Sequence, residues 1–580
     1  MIKVKNYITI TMVIAVLFFL FISQSIMKPR LSDKGTNHYS LTLVKKEKKK
    51  ASETDQRKRI FFAGKDKDEK RQAKQYASFR NYRLKTSESF RAASAAAGEN
   101  DVILVDGDIF TENDIVRLKK SLEKKMTVIF LTMPDDKLIS ASEDLREMLG
   151  IQRSRGRVKP AGYQLFGGFL LGGEGYYVET EKPKHGEKSR QDLPSEITYY
   201  EVASSSRLYM IAQLRDKDRK DFKDLDKDNT NLKDQFDSED YPAVIWQHAL
   251  HSGRVFCVNI PVMKTDTAAG ILMAMEYSSA KVMVSQFADV RSLMTSSYPL
   301  FSDENETEMQ RLYGMSTKDF ETNVVWPFLV SVASENNDRL TLMGADHLES
   351  GSGNYKNLDT YLSLIEDQRA ELGAKSEDAT DIRAGLDKYF PNYRLNCFYG
   401  KPKKGLTVTT GDKAAVFLQK GSRLIVKTTE EADQMSYSDD LRLKSLVTAT
   451  GFYLTDIDLS KAFYPEKKAD RYEKFSKRVA GNLNSWYTNF RYLNALTLSE
   501  AGSRISEFLN TDFTVKTEGN RVEIEMNSQA SDSSKLMLRT HGQDIKSISG
   551  AEYEEAEDDA YVLTVHGRKA VVELEDRDRP

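Results

Sequence analysis

An apolar run at the start of the chain constrains everything that follows it. Lys3 and Lys5 precede a stretch from Tyr7 to Ile22 that only Thr9 and Thr11 interrupt. Ile26 and Met27 extend the run, and Lys28, Pro29 and Arg30 close it. With Ser23, Gln24 and Ser25 that makes about twenty residues, the length a helix needs to cross the hydrocarbon layer. Lipid admits only a segment whose backbone groups are satisfied internally. Residues 1–30 are therefore expected to form a single transmembrane helix, leaving the remaining chain to fold in water. A cleavable signal peptide is the competing reading: Ser23 and Ser25 are small enough for a cleavage site, but no A-x-A-like sequence is present. A buried core helix fits poorly, because a charge-free run flanked by lysines at the chain start is the insertion pattern.

Residues 31–58 read as a basic linker. Positions 28–59 hold eleven Lys or Arg against four acidic residues, including Lys45, Lys46, Lys48, Lys49 and Lys50. The positive-inside rule would keep this flank cytoplasmic. The cluster also suits an electrostatic tether to anionic headgroups or an anionic wall polymer, or a plain solvated linker. Charge alone leaves the side of the membrane open.

At 580 residues the chain is too long for one core, and usual domain sizes suggest about three or four. Its formal net charge of -2, from 85 Lys+Arg and 87 Asp+Glu, offers no basic field for nucleic acid. Cys257 and Cys397 are the only cysteines, so a disulfide scaffold and four-thiolate metal sites are excluded. Buried free thiols are the simplest expectation, with a single bridge between them as the alternative.

Beyond the linker, strand and helix patterns alternate. Arg59 to Gly64, Asp101 to Asp106 and Met126 to Thr132 read as strands, with Asn113 to Lys125 helical between the last two. That spacing indicates a parallel sheet in an α/β domain of flavodoxin or amidotransferase type over 59–325. Residues 215–240, with seven basic and ten acidic residues, interrupt it as a solvated insertion. Val244 to His251 reads as helical or extended, Arg254 to Ile260 as a strand and Gly270 to Tyr277 as a helix. A second unit is expected over 326–511, a (β/α)-barrel-like domain with strands at Arg339–Gly344, 394–398, 414–418, 423–427 and 450–454. Leu358 to Leu372 and Asp470 to Leu493 read as helices, and Ser499 as the N-cap of a further one. Short strands from Phe513 onward suggest a β-sandwich over 512–580.

Motifs exclude more chemistry than they propose. No pair of the seven histidines forms HxxxH or HExxH, so a zincin is excluded. His248 and His251 are three apart with no third ligand evident. GxSxG is absent, so there is no nucleophile elbow. Gly167, Gly168, Gly172, Gly173 and Gly175 lack the Lys-Ser/Thr of a phosphate loop and suit a flexible hairpin. Asp224 to Asn229 imitates the start of a calcium loop, but Asn229 replaces the glycine at position six and Gln235 the glutamate at position twelve. Two acidic spots remain as candidate catalytic residues. Asp346 and His347 follow a predicted strand, where α/β folds place their chemistry. Asp456 and Asp458 alternate on an extended segment, so both point the same way and could share a metal or sugar hydroxyls.

The segments His251-Ser252-Gly253-Arg254-Val255-Phe256, Val325-Trp326-Pro327-Phe328, and Trp486 through Leu496-Thr497-Leu498-Ser499-Glu500-Ala501 carry a resemblance. The order of segments resembles a bacterial family of membrane-anchored proteins encoded beside Pel-type exopolysaccharide synthesis genes. In it an amidotransferase-like region precedes a polysaccharide-deacetylase-like region and a small β domain. The resemblance implies an extracytoplasmic location and polysaccharide or synthesis proteins as partners. A deacetylase of that kind would carry an Asp-Asp pair after its first strand and an HxxxH ligand pair. Here Met343-Gly344-Ala345-Asp346-His347 occupies the expected place with one Asp, and Cys257 lies inside a strand rather than at a nucleophile elbow. The expected function is a non-catalytic, anchored accessory protein of exopolysaccharide production, and no particular cofactor is indicated. The alternative is a divergent polysaccharide deacetylase or glycan hydrolase, which could take a divalent metal.

Overall fold

The computed structural model describes residues 58–577 apart from 179–192, 215–240, 300–304, 345–362, 375–392 and several shorter stretches between 366 and 532. The expected anchor and linker, the calcium-like segment, and Asp346 and His347 lie outside the described residues. Among the described residues no helix is long and apolar enough to cross a membrane.

Short apolar runs build the first sheet. Strands β1 (Arg59–Ala63), β2 (Arg83–Ser87), β3 (Val102–Val105), β4 (Thr127–Phe130) and β5 (Gly253–Val258) are parallel, in the order β2-β1-β3-β4-β5. The four residues of β3 are all buried, as a strand covered on both faces requires. Four antiparallel strands continue the sheet: Ala243–Leu250, Arg207–Leu214, Pro160–Leu165 and Gly175–Val178. The segment at Val244 to His251 is thus extended. The glycine-rich stretch does connect a hairpin, and it packs closely: a Cβ on Gly172 would stand 2.6 Å from the Phe490 ring. Cys257, in β5, and Cys397 are both buried free thiols.

The second sheet starts earlier than position 326. After β6 (Val282–Gln286) its first strand in chain order is β7 (Val290–Ser296), while Trp326 opens a helix running to Glu335. The sheet continues with β8 (Leu340–Gly344), β9 (Glu371–Ala374), β10 (Cys397–Tyr399), β11 (Arg423–Val426), β12 (Glu430–Glu431) and β13 (Phe452–Asp458). These seven are parallel, in the order β11-β10-β9-β8-β7-β13-β12, and two antiparallel strands extend the β11 edge into a nine-stranded half-barrel. Residues 371 and 372, expected to close a helix, belong to β9.

Strand β7 hides its identity behind Arg291. That side chain is 2% exposed, donates to the carbonyls of Leu493, Asn336 and Asn337 at 2.8–2.9 Å, and pairs with Asp338. A fully partnered guanidinium can be buried where an unpaired one could not.

Helices α1 (Lys67–Phe79) and α2 (Ala268–Ser279) flank the first sheet. Helices α3 (Tyr437–Thr450), α4 (Tyr472–Phe490) and α5 (Leu498–Asn510) serve the second. The two units meet where α2 crosses α3. Gly270 N–H donates to Ser445 Oγ at 3.1 Å, and that hydroxyl donates to the Thr267 carbonyl at 2.5 Å. A Cβ on Gly270 would lie 2.0 Å from the Ser445 carbonyl, so only glycine permits this approach. Helix α5 is capped by Thr497 and Glu500 rather than by Ser499. Ser499 instead turns its hydroxyl and its N–H to the buried carboxylate of Glu371, which the Cys397 thiol also meets at 3.1 Å.

The C-terminal sandwich has two four-stranded sheets. One is Asp512–Glu518, Arg521–Ser528, Lys569–Asp576 and Gln543–Ser549; the other is β6, Ser533–Thr540, Ala560–His566 and Ala551–Glu557. Strand β6 comes from far upstream and buries Val284 in the sandwich core.

Candidate functional site

The C-terminal ends of β7, β12 and β13 lie side by side. Asp456 is opposite Met294, and Asp458 opposite Ser296, so both aspartates stand on one face of β13. Their hydrogen bonds nonetheless diverge. Asp456 is 3% exposed, with Oδ1 accepting from Ser296 N–H and Oδ2 from Ser296 Oγ, each at 2.9 Å. Asp458 is more open, and its Oδ1 accepts from Ser460 N–H at 3.1 Å and Ser460 Oγ at 2.6 Å.

Strand β12 adds further charge. Ala432 N–H donates to the Asp456 carbonyl at 2.8 Å, which places Glu431 and Asp433 beside β13. Lys461 bridges them, reaching Glu431 Oε2 at 2.9 Å and Asp433 Oδ1 at 2.8 Å.

Burial pushes the Asp456 carboxyl up to about 7. The hydrogen bonds from Ser296 work against that rise, while the nearby Asp458 and Glu431 charges add to it. Asp433 is also raised, again chiefly by burial, against the pull of Lys461. Burial disfavours the Lys461 charge, yet Asp433 and Glu431 outweigh it and hold the ammonium above its ordinary value.

Among the described residues no group of three or more His, Cys, Asp or Glu side chains is arranged to hold a metal ion. The buried carboxyls of this edge are bonded within the protein, Asp456 to Ser296 and Asp433 to Lys461. The first strand of the half-barrel ends at Ser296 and leads into Ser297 and Tyr298, so the segment at Met343-Gly344 closes a later strand, β8. Of the four candidate residues, Asp456 and Asp458 come together here, while Asp346 and His347, beyond β8, lie outside the described residues. His248 and His251 do not converge: His248 is buried against Ser206 Oγ at 2.9 Å, and His251 sits in a turn at φ 56°. Sequence reasoning missed Ser296, Ser460, Glu431, Asp433 and Lys461. The acidic Glu430-Glu431-Ala432-Asp433 turn was the one signal available for them.

No family model matches the sequence, and no curated protein matches it. Solved structures with some likeness include Agd3, described as a novel carbohydrate deacetylase, at 8% identity and TM-score 0.45 over 89% of this chain and 98% of that one. The exo-beta-1,4-mannosidase Op5Man5 of Opitutaceae bacterium strain TAV5 shows 11% identity and TM-score 0.22 over 38% of this chain and 34% of that one. A Parabacteroides distasonis protein provisionally described as a glycoside hydrolase/deacetylase shows 11% identity and TM-score 0.22 over 43% and 80%.

Proposed function

We propose that the chain is an accessory protein of cell-surface exopolysaccharide production, held to the membrane by residues 1–30 with its bulk outside. It binds glycan at the carboxyl-rich edge of the half-barrel and does not turn it over. The observation that carries this reading is the commitment of Asp456: both its oxygens are bonded to Ser296 and it is almost fully buried. A group acting on substrate must reach the reacting atoms. The more open Asp458 and Glu431 supply acceptors for sugar hydroxyls. The resemblance of the sequence to anchored proteins of Pel-type systems supplies the cellular setting, and its amidotransferase-like and deacetylase-like regions are then scaffolds without their usual chemistry.

The test is binding of amino-sugar oligomers to the full chain in detergent. Asp458→Ala and Glu431→Ala are expected to weaken binding about tenfold or more, while Asp456→Asn leaves it unchanged and no acetate or shorter glycan is released. One observation favours a second reading, a divergent deacetylase or hydrolase: a carboxyl at about 7 beside a second carboxylate is suited to proton transfer near neutral pH. Turnover that disappears in Asp456→Asn would establish that reading and sink the first.

A further inference from the structure

A second group of charged side chains lies in the first unit, at the carboxyl ends of β1 and β3. Strand β1 is flanked by β2 on one side and β3 on the other, so the chain changes direction across the sheet there. Ligands of open α/β sheets bind at such a switch point. Four loops converge on it. Asp66, the N-cap of α1, follows β1, and Asp106 and Asp108 follow β3. Gly107 N–H, beside them, donates to Thr132 Oγ1 of the loop after β4 at 2.9 Å. Lys264, after β5, donates to Asp66 Oδ2 at 3.0 Å. Asp106 is saturated, accepting from the N–H groups of Lys65, Asp66 and Asp108 at 3.0–3.3 Å.

Glu69, on the first turn of α1, is different. It is 0% exposed, yet neither carboxyl oxygen has a hydrogen-bond partner among the described residues. One turn on, Gln72 is 1% exposed; its amide nitrogen donates to Asp266 at 3.4 Å, but its Oε1 also lacks a partner. Three buried acceptor atoms without donors are costly. They also share a field set by Asp66, Asp106 and Asp108, which Lys264 only partly offsets. An occupant must therefore bring donors and positive charge. No set of three or more acidic, His or Cys side chains is arranged for a metal ion among the described residues. A primary ammonium carries three N–H donors, one for each orphaned oxygen.

We propose that this switch point binds a small ligand through a primary ammonium group seated among Glu69 Oε1, Glu69 Oε2 and Gln72 Oε1. The site is independent of the half-barrel edge. Entry lies past Asp66 and Lys264, whose side chains are 25% and 32% exposed. Burial, with the Asp106 charge next in weight, pushes the empty Glu69 carboxyl up to about 8, so at pH 7 it holds a proton. Seating an ammonium ionises it, and binding releases that proton.

Titration calorimetry of the full chain in detergent at pH 7, in two buffers of different ionisation heat, tests this. Glucosamine and ethanolamine are the amine probes, and N-acetylglucosamine is the same sugar without the ammonium. Saturable binding of an amine, with a buffer-dependent heat and no binding of N-acetylglucosamine, is the expected result. Glucosamine binding more tightly than ethanolamine would identify an amino sugar, and equal affinities a general amine site. Glu69→Gln is expected to weaken binding at least tenfold and abolish the buffer dependence. Gln72→Leu is expected to weaken it while keeping that dependence, and carries the test should the first variant fail to fold. Absence of saturable amine binding, binding without proton release, or magnesium or calcium competing for the site would overturn the proposal. So would a crystal structure grown with glucosamine that shows only water on the three oxygens.

Discussion

Replacing Asp456 by Asn changes one hydrogen-bonding group and one titration. In the folded chain Ser296 N–H can still donate to the amide oxygen, and the new NH2 can donate to Ser296 Oγ, so the amide imitates the protonated acid. The wild-type carboxyl titrates at about 7 in the fold against an ordinary 3.8. Because the folded value is raised, the fold holds a proton that the unfolded chain gives up. The stabilisation this provides is complete below 3.8 and is lost as pH rises through about 7. At about 1.4 kcal/mol per pH unit the full span is about 4 kcal/mol, and between pH 5.5 and 8 about 2 kcal/mol is lost. The Asn variant has no such slope, so the difference between the two chains cancels every other titrating group. Urea unfolding followed by tryptophan emission measures it, since Trp326 and Trp486, two of the three tryptophans, share the apolar cluster of Tyr453 and Ile457 on β13. The expected result is that the variant gains about 2 kcal/mol on wild type between pH 5.5 and 8. A difference that stays constant over that range would mean that Asp456 is already ionised in the fold, and the reasoning from burial would be wrong.

Substitutions around α2 test its packing, with a control on α4. Gly270→Ala places a methyl against the Ser445 carbonyl and should cost about 2 kcal/mol in thermal unfolding despite the better helix propensity of alanine; Gly481→Ala, in open space on α4, should be neutral or stabilising by up to about 1 kcal/mol. Glu276, on α2, accepts from Tyr76 at 2.8 Å, Arg80 at 2.9 Å and Lys58 at 3.2 Å; burial opposes its charge, but Arg80 and Lys58 hold it far below the usual carboxylate range. Glu276→Gln should therefore cost about 3 kcal/mol at any pH from 5 to 8, and the double variant with Arg80→Met should cost less than the sum of the two singles.

What was legible in the sequence followed from local pattern. Strands β1, β3 and β5 are apolar runs between turns, and such runs report burial on both faces without reference to distant residues. The same rule concealed β7, where Arg291 and the serines break the apolar run and the guanidinium is accounted for only by the carbonyls of Leu493, Asn336 and Asn337. It also concealed β6, because its partner Ser533–Thr540 lies some 250 residues downstream. In the sandwich, Ala551–Glu557 carries four glutamates and only Tyr553 as a large apolar residue, so pairing with Ala560–His566 is what makes it a strand. The site residues divide in the same way. The extended segment holding Asp456 and Asp458 is indeed a strand, but the partners that separate their hydrogen bonding, Ser296 and Ser460, come from different elements.

Glu69 is the sharpest instance of this division. In Lys67-Asp68-Glu69-Lys70-Arg71-Gln72 it looks like one charge on a solvated helix face, since three of the other five residues are exposed. In the fold that helical position is buried close to Asp106, so that burial and the Asp106 charge act on it together. A buried carboxyl without donors costs stability unless something offsets it. The half-barrel edge is different, because there each buried carboxyl already has its serine or lysine. At that edge the contacts to a ligand fall to the more open Asp458 and Glu431, whereas at the first sheet it is the buried Glu69 itself that a ligand would satisfy.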